Sequence, residues 1–462
     1  MSFISRIIAM LTALLITIAG LNSSVIGFTG GEVIYPEKQE YRFDNSKLLI
    51  GGYYGGEGLG RLAKEAKLDF VIDSGVTGAE LDEFYENGVG IIAGGYNMPR
   101  YYGSADASVM DAWLNINLNT YKDHPALWGD DLIDEPSAAC YEALEAANAS
   151  YRSTFPDKMC FINLFPIYAN NEQLGEEPGI STAQKVLCAF TDQTEDYSAR
   201  YKKYVSDYIN TISTDYICVD IYPYFSDVDR KGNEVKSTGQ WYLRNLDILA
   251  EACRETGRDL WVITQAAGET LNGKENSGSP RFCDEVSDIS QQAYACLAFG
   301  SKAIIHGQFA SKGWWNPDSH MIGSDGKPTD TYYSVQTVNG WMSLFAEEYG
   351  KYSYTSTYYL NKNKLAGFNK GELETTVEDE KADITSKNGL VIGTFDGENG
   401  EKAYIIVNMQ ELGDNVTAKA TFTVPAGKTA TLYQKVSSFK YYDGYKKEIT
   451  LDPGEGVFIT VK

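Results

Sequence analysis

The residues best suited to do chemistry lie in one short run, Asp130-Asp131-Leu132-Ile133-Asp134-Glu135-Pro136. The run ends an apolar stretch that starts at Ala126-Leu127-Trp128 and reads as a β-strand. Adjacent carboxylates at a strand tip have no part in a hydrogen-bonded ladder, and their charges repel. Cleavage of a glycosidic bond is chemistry that such groups suit. It needs one carboxylic acid to protonate the leaving oxygen and a second group to stabilise the cationic centre. Simple strand alternation predicts Asp131 and Glu135 on one face, with Asp130 and Asp134 on the other. At the tip, Asp134 can hold Glu135 or a substrate group in position. The competing structural role for Asp134 is to cap the following helix, with Pro136 and Ser137 at its start.

Stepping outward along the chain, short apolar runs alternate with longer amphipathic ones from about residue 45. The short runs are 48–53, 68–73, 89–93, 126–134, 159–163, 216–220, 260–264 and 302–306, each bounded by turn formers. Helical patterns fall at Gly60 to Lys67, Ala138 to Ala149, Tyr197 to Ile212, Leu243 to Thr256 and Ser287 to Phe299. About eight strand–helix units predict a (β/α)8 TIM barrel, in preference to an open doubly wound sheet. The acidic run then sits at the carboxyl end of the fourth strand, where barrel enzymes place their catalytic groups. Period-2 strands from Leu390 onward predict a C-terminal antiparallel β-sandwich domain. The expected boundaries are a signal peptide over 1–27, the barrel over 28–370, an acidic linker over 371–388 and the sandwich over 389–462.

Aromatic residues near strand tips suit sugar stacking, because sugars present C–H faces to rings and hydroxyls to polar groups. Tyr53, Tyr54, Tyr96, Tyr101, Tyr102, Tyr168, Tyr222 and Tyr224 qualify, as do Trp314 and Trp315 in a Gly/Pro-bounded loop after strand eight. Plain core packing is the alternative for the tyrosines. His306 and Gln308 end strand eight, where His306 either bonds a hydroxyl or is a buried, hydrogen-bonded histidine. The Gly-rich run from Gly51 to Gly60 lacks both GxGxxG and a GK[ST] ending, so it reads as a strand tip and not a nucleotide loop.

Asp134-Glu135-Pro136, following His124-Pro125-Ala126-Leu127-Trp128-Gly129, resembles the fourth strand of the large retaining clan of (β/α)8 glycoside hydrolases, where a similar triplet carries the acid/base. The likeness extends to Asn163-Leu164-Phe165-Pro166 after strand five, to Asp220-Ile221-Tyr222-Pro223-Tyr224 after strand six, and to the terminal sandwich. It covers most of residues 45–462 as scattered short motifs. The resemblance implies that Glu135 is the proton donor; Asn163 and Tyr222 are candidate substrate-binding residues beside it. Retaining members of that clan carry a nucleophilic glutamate at the tip of strand seven. Here that strand ends Val262-Ile263-Thr264-Gln265, and an amide is neither a nucleophile nor an ionised base. Three readings follow. Asp220, Asp73 or Glu269 supplies the second carboxylate. Alternatively, Asp134 and Glu135 work as a pair, as in hexosaminidases whose substrate acetamido group is the nucleophile. The third is a non-catalytic carbohydrate-binding protein on a decayed barrel, with Gln265 a sugar contact.

The bulk numbers fit this picture. Net charge is −23 over 462 residues, which opposes nucleic acid and anionic membrane surfaces and leaves a neutral polysaccharide acceptable. Arg6, the apolar stretch Ile7 to Leu21 and the small or polar residues after it form a signal-peptide pattern, implying a secreted protein with no membrane span after cleavage. The seven cysteines are scattered without a framework spacing, and Cys160 and Cys218 read as small buried hydrophobes. Three histidines and no clustered ligands give no reason to expect a metal, and nothing calls for a cofactor.

Overall fold

The structure, a computed structural model, describes residues 46–94, 121–171, 173–175, 197–228, 234–268, 283–311, 317–367 and 384–462. The expected signal peptide, most of the expected linker, and Tyr96, Tyr101, Tyr102, Glu269, Trp314 and Trp315 lie outside these residues.

The strands in chain order begin with β1 (Leu49–Tyr53), β2 (Phe70–Ser74), β3 (Gly90–Gly94), β4 (Leu127–Asp134), β5 (Met159–Leu164) and β6 (Tyr216–Ile221). A hairpin of β7 (Tyr224–Val228) and β8 (Glu234–Thr238) follows, then β9 (Asp259–Gln265) and β10 (Ser301–Gly307). The first six strands with β9 and β10 form a closed parallel barrel, sealed where β1 pairs with both β2 and β10. Helices α1 (Gly60–Glu65), α2 (Gly78–Asn87), α3 (Tyr141–Thr154), α4 (Tyr197–Thr211), α5 (Tyr242–Thr256), α6 (Val286–Ala298) and α7 (Asp330–Ser343) are interspersed among the strands and follow the last. The expected helices appear within a few residues of their predicted ends. Among the described residues no helix is long and apolar enough to cross a membrane.

The barrel interior is floored by rings. Phe70, Trp128, Phe161, Tyr216 and Trp261 pack with centroid separations between 5.0 and 6.3 Å. Glycines make the room: a Cβ on Gly90 would stand 2.2 Å from the Trp128 ring, and one on Gly51 would stand 2.5 Å from Phe70. Cys218 belongs to this interior cluster, and the six described cysteines are all free and buried.

Strand β4 departs from simple alternation. Its register slips against β3 at Ile91/Ile92 and against β5 at Asp131/Ile133. Each slip adds one residue to β4 and turns the following side chains over. Trp128, Asp131 and Asp134, three residues apart, therefore all face the interior: Trp128 joins the ring floor, Asp131 abuts Gly94, and Asp134 bonds to β5. This corrects the expectation that Asp131 and Asp134 lie on opposite faces. Asp130 points outward beneath α3, where neither carboxyl oxygen has a hydrogen-bond partner. Burial, and then the charge of Asp131, hold its carboxyl well above the usual carboxylate range.

The C-terminal strands are β11 (Ser353–Leu360), β12 (Ile384–Ser386), β13 (Leu390–Asp396), β14 (Lys402–Asn408), β15 (Ala418–Thr423), β16 (Thr429–Gln434), β17 (Ser437–Tyr442), β18 (Lys446–Leu451) and β19 (Gly456–Val461). They form an antiparallel sheet ordered β11-β13-β14-β19-β16-β17, faced by a smaller sheet ordered β12-β15-β18. The sandwich thus begins at Ser353, ahead of the expected boundary at 389, because β11 pairs with β13 along its whole length. Its larger sheet packs on α6, with Gly393 against the Ala298 carbonyl and Gly456 against the Tyr294 ring. A Cβ on Gly393 would lie 2.2 Å from that carbonyl oxygen, which is held by the Thr357 hydroxyl. Gly393→Ala should therefore cost about 1–3 kcal/mol or more of stability in urea unfolding. Gly413→Ala, where a Cβ meets nothing within 4 Å, should stay within about 0.5 kcal/mol of the parent.

Candidate active site

The carboxyl ends of β4, β5 and β6 bring three polar side chains together inside the barrel mouth. Asn163, on β5, donates from Nδ2 to Asp134 Oδ1 at 2.9 Å and to Asp220 Oδ1 at 3.0 Å. One amide thus links the carboxylates of the two flanking strands. The cap expected of Asp134 is supplied by Ser137, whose Oγ accepts from the Ala139 N–H.

Glu135 is the first residue beyond β4 and takes a left-handed backbone, φ 54°. Such a conformation in a non-glycine residue costs about 1–3 kcal/mol and persists only where its surroundings fix it. Its N–H donates to the Asn163 carbonyl at 2.8 Å, and the carbonyl of Pro136 accepts from the Tyr204 hydroxyl at 2.7 Å. The turn is pinned on both sides, and the half-buried Glu135 side chain leaves the strand next to Tyr168 and Tyr222. Burial chiefly, with the nearby charges of Asp220 and Glu135, holds both phenols well above the usual tyrosine range.

Asp220 is buried, and desolvation followed by the charge of Asp134 pushes its carboxyl up to about 7, against hydrogen bonds from Asn163 and Tyr222 that favour the ionised form. Tyr222 also reaches across the mouth, its hydroxyl 3.4 Å from where a Cβ on Gly307 would stand at the tip of β10. The next peptide, Gly307–Gln308, is cis. Tyr53, at the tip of β1, faces Asp134 and Asp131, whose charges add to burial in raising its hydroxyl. Tyr168 packs on Trp241 with ring centroids 4.3 Å apart.

Glu135, Asp134, Asp220, Asn163, Tyr53 and Tyr222 are therefore brought to one place. Four other expected site residues are not. Gln265 is fully buried, with Oε1 accepting from the Tyr224 N–H at 3.0 Å and Nε2 donating to the Ala267 carbonyl at 3.1 Å. It ties down the turn after β6 and offers no group to a ligand. His306 lies on the outer face of β10, where Nε2 meets Asn339 Oδ1 of α7 at 2.8 Å and burial depresses its pKa to about 4. Tyr224 is buried and donates to Gln291 of α6 at 2.9 Å. Asp73 has the outward parity of β2 and packs beneath Gly55. The residue that sequence reasoning missed is Asp131, a further carboxylate directed inward by the bulges in β4. The spacing Trp128, Asp131, Asp134 carries it, but only once those bulges are known.

No family model matches the sequence, and no curated protein does. Solved structures do share its fold. One titled glycoside hydrolase has a TM-score of 0.51 at 9% identity, over 90% of this chain and 92% of that one. A Clostridium acetobutylicum xylanase of glycoside hydrolase family 30 subfamily 8 has a TM-score of 0.45 at 11% identity, over 90% and 96%. A Bacteroides vulgatus glycoside hydrolase of family 5 has a TM-score of 0.48 at 10% identity, over 90% and 88%. At a TM-score above 0.5, the structure titled glycoside hydrolase shares the fold of this chain.

The raised carboxyl of Asp220 fixes a sign. A carboxyl whose folded pKa exceeds its unfolded value stabilises the fold below the unfolded pKa, and that contribution is lost as pH rises towards 7. His306 has the opposite sense, its contribution being lost as pH falls from 6.5 towards 4. Comparison with the parent cancels the histidine. The melting temperature of Asp220→Asn relative to the parent should therefore rise between pH 4 and 7, and a flat difference would place Asp220 in a solvated setting.

Proposed function

We propose that the protein is a secreted glycoside hydrolase that cleaves O-glycosidic bonds of an oligo- or polysaccharide, with Glu135 as general acid/base. The observation that carries this reading is the seating of Glu135 at the carboxyl end of β4, in a pinned left-handed turn beside the Asp134–Asn163–Asp220 bridge. A general acid must stay within hydrogen-bond reach of the leaving oxygen, and a fixed turn at a barrel mouth does that. Glu135 delivers its proton to the glycosidic oxygen as the C–O bond breaks. Asp220 is the second carboxylate in this reading: with its pKa near neutrality it can take up a proton from the incoming water or stabilise the cationic carbon. Asp134 orients Asn163 and the substrate. Tyr53, Tyr168 and Tyr222 supply ring faces and hydroxyls for the sugar. Tyr96, Trp314 and Trp315 remain proposed stacking residues.

The second reading, a carbohydrate-binding protein without activity, is favoured by one observation. Gln265 stands where the clan's nucleophile is expected, and its amide is spent on backbone groups. The mature chain and Glu135→Gln, assayed on aryl glycosides and polysaccharides that include N-acetylhexosaminides, separate the two. Hydrolysis that falls about 10²–10⁴-fold in Glu135→Gln supports the enzyme. Cleavage confined to N-acetylhexosaminides would transfer the second role from Asp220 to the substrate and Asp134. Glycan binding without any cleavage would leave the binding reading standing.

A further inference from the structure

The oxygens gathered at the barrel mouth outnumber the donors that answer them. Asn163 is in register with Asp134 on one side and with Cys218 of the barrel interior on the other, so its side chain points inward. Its Nδ2 is spent on the carboxyls of Asp134 and Asp220. Its Oδ1 has no hydrogen-bond partner, although the residue is only 1% exposed. A buried acceptor left in that state costs free energy that a bound donor would recover. Asp131 also points inward, its Oδ2 3.3 Å from where a Cβ on Gly94 would stand at the tip of β3. Below them the Cys218 thiol is pushed up by burial and then by Asp220, Asp131 and Asp134. Among the described residues no lysine or arginine pairs with Asp220, and no three acidic, histidine or cysteine side chains are grouped to hold a metal ion.

We propose that the mouth receives a sugar bearing a protonated amine, a glucosamine unit, whose ammonium group lies between Asp134 and Asp220 and against Asn163 Oδ1. The inference rests on the reading of this mouth as a glycosidase site and goes further by naming the kind of sugar. Carboxylate and amide oxygens are acceptors, and an ammonium group has three donors and no acceptor. A hydroxyl can satisfy one of those oxygens, but it brings no charge to offset the repulsion between Asp134 and Asp220. An N-acetylated sugar loses the charge and keeps a single N–H. Net charge acts in the same direction at longer range: at −23 the chain draws a polycationic glycan towards it and repels an acidic one.

Titration calorimetry of full-length Glu135→Gln with tetramers of glucosamine, N-acetylglucosamine and glucose tests this without needing hydrolysis, at physiological salt and a pH just below neutral. The glucosamine tetramer is expected to bind about tenfold more tightly than either neutral one. Asp220→Asn and Asp134→Asn, added singly and checked for folding by their melting transitions, should shrink that preference severalfold and change the affinity for the glucose tetramer less. Equal affinity for the three tetramers, or no binding of the glucosamine tetramer, would overturn the proposal. So would a preference that survives both substitutions, since it would belong to the acidic outer surface. Assay of the parent on the same tetramers keeps the two readings apart. Amine-selective binding without cleavage would count against Glu135 as the acid and leave this inference standing, whereas cleavage confined to the neutral tetramers would do the reverse.

Discussion

A carboxylate taken from water into a barrel interior destabilises the fold unless donors or a proton replace its hydration, and a second carboxylate nearby adds repulsion. The mouth of this barrel holds Asp134 and Asp220 on strands that flank β5, and the Asn163 amide bonds to both while Tyr222 also bonds to Asp220. Asn163 has two N–H groups on one nitrogen, which is the minimum that can serve two acceptors at once. What that donation leaves uncompensated falls on Asp220, which keeps hold of its proton up to about pH 7. Residue 163 therefore works against burial and the charge of Asp134 in setting the protonation of Asp220. An aspartate there would add a third charge, and an apolar residue would leave two carboxylates unlinked.

The layers beneath and outside the mouth follow from the same need to keep polar groups satisfied. Below, the ring floor excludes water and leaves only the strand tips for polar chemistry. Elsewhere, polar side chains that resemble site residues do structural work. Gln265 holds the turn after β6, Gln292 bonds both the N–H and the carbonyl of Gln265, and His306 meets Asn339. Parity sets His306 apart from the site residues, whereas Gln265 shares the inward parity of Trp261 and Ile263 and is kept from the mouth by its bonds to Tyr224 and Ala267.

Much of this was legible from the chain. Barrel strands buried on both faces read as continuous β-branched and aromatic runs, and the helices between them show their apolar stripe. Asp134, Glu135, Asn163, Asp220 and Tyr222 were visible as polar residues immediately after such runs. The bulges in β4 were not, since an inserted residue leaves no mark in composition and is fixed by pairing with both neighbours. Gln265 and His306 misled for a related reason. Each ends a strand, but their side chains are claimed by groups distant in sequence, at Tyr224 and Asn339. The start of the sandwich was obscured because β11, Ser353 to Leu360, is cut off from its partner β13 by an acidic stretch that looks like a boundary.

Helix α6 is buried on every side from Asp288 to Ala298, with the barrel on one flank and the sheet containing β13, β14 and β19 on the other. An ordinary barrel helix shows water a polar stripe; this one has none to show. The sandwich is thus the missing outer wall of the barrel and cannot be exchanged like a cassette. During synthesis α6 emerges well before β19, which closes that wall. The barrel accordingly reaches its finished state only after β19 has been made, and a nascent chain must carry an uncovered helix until then.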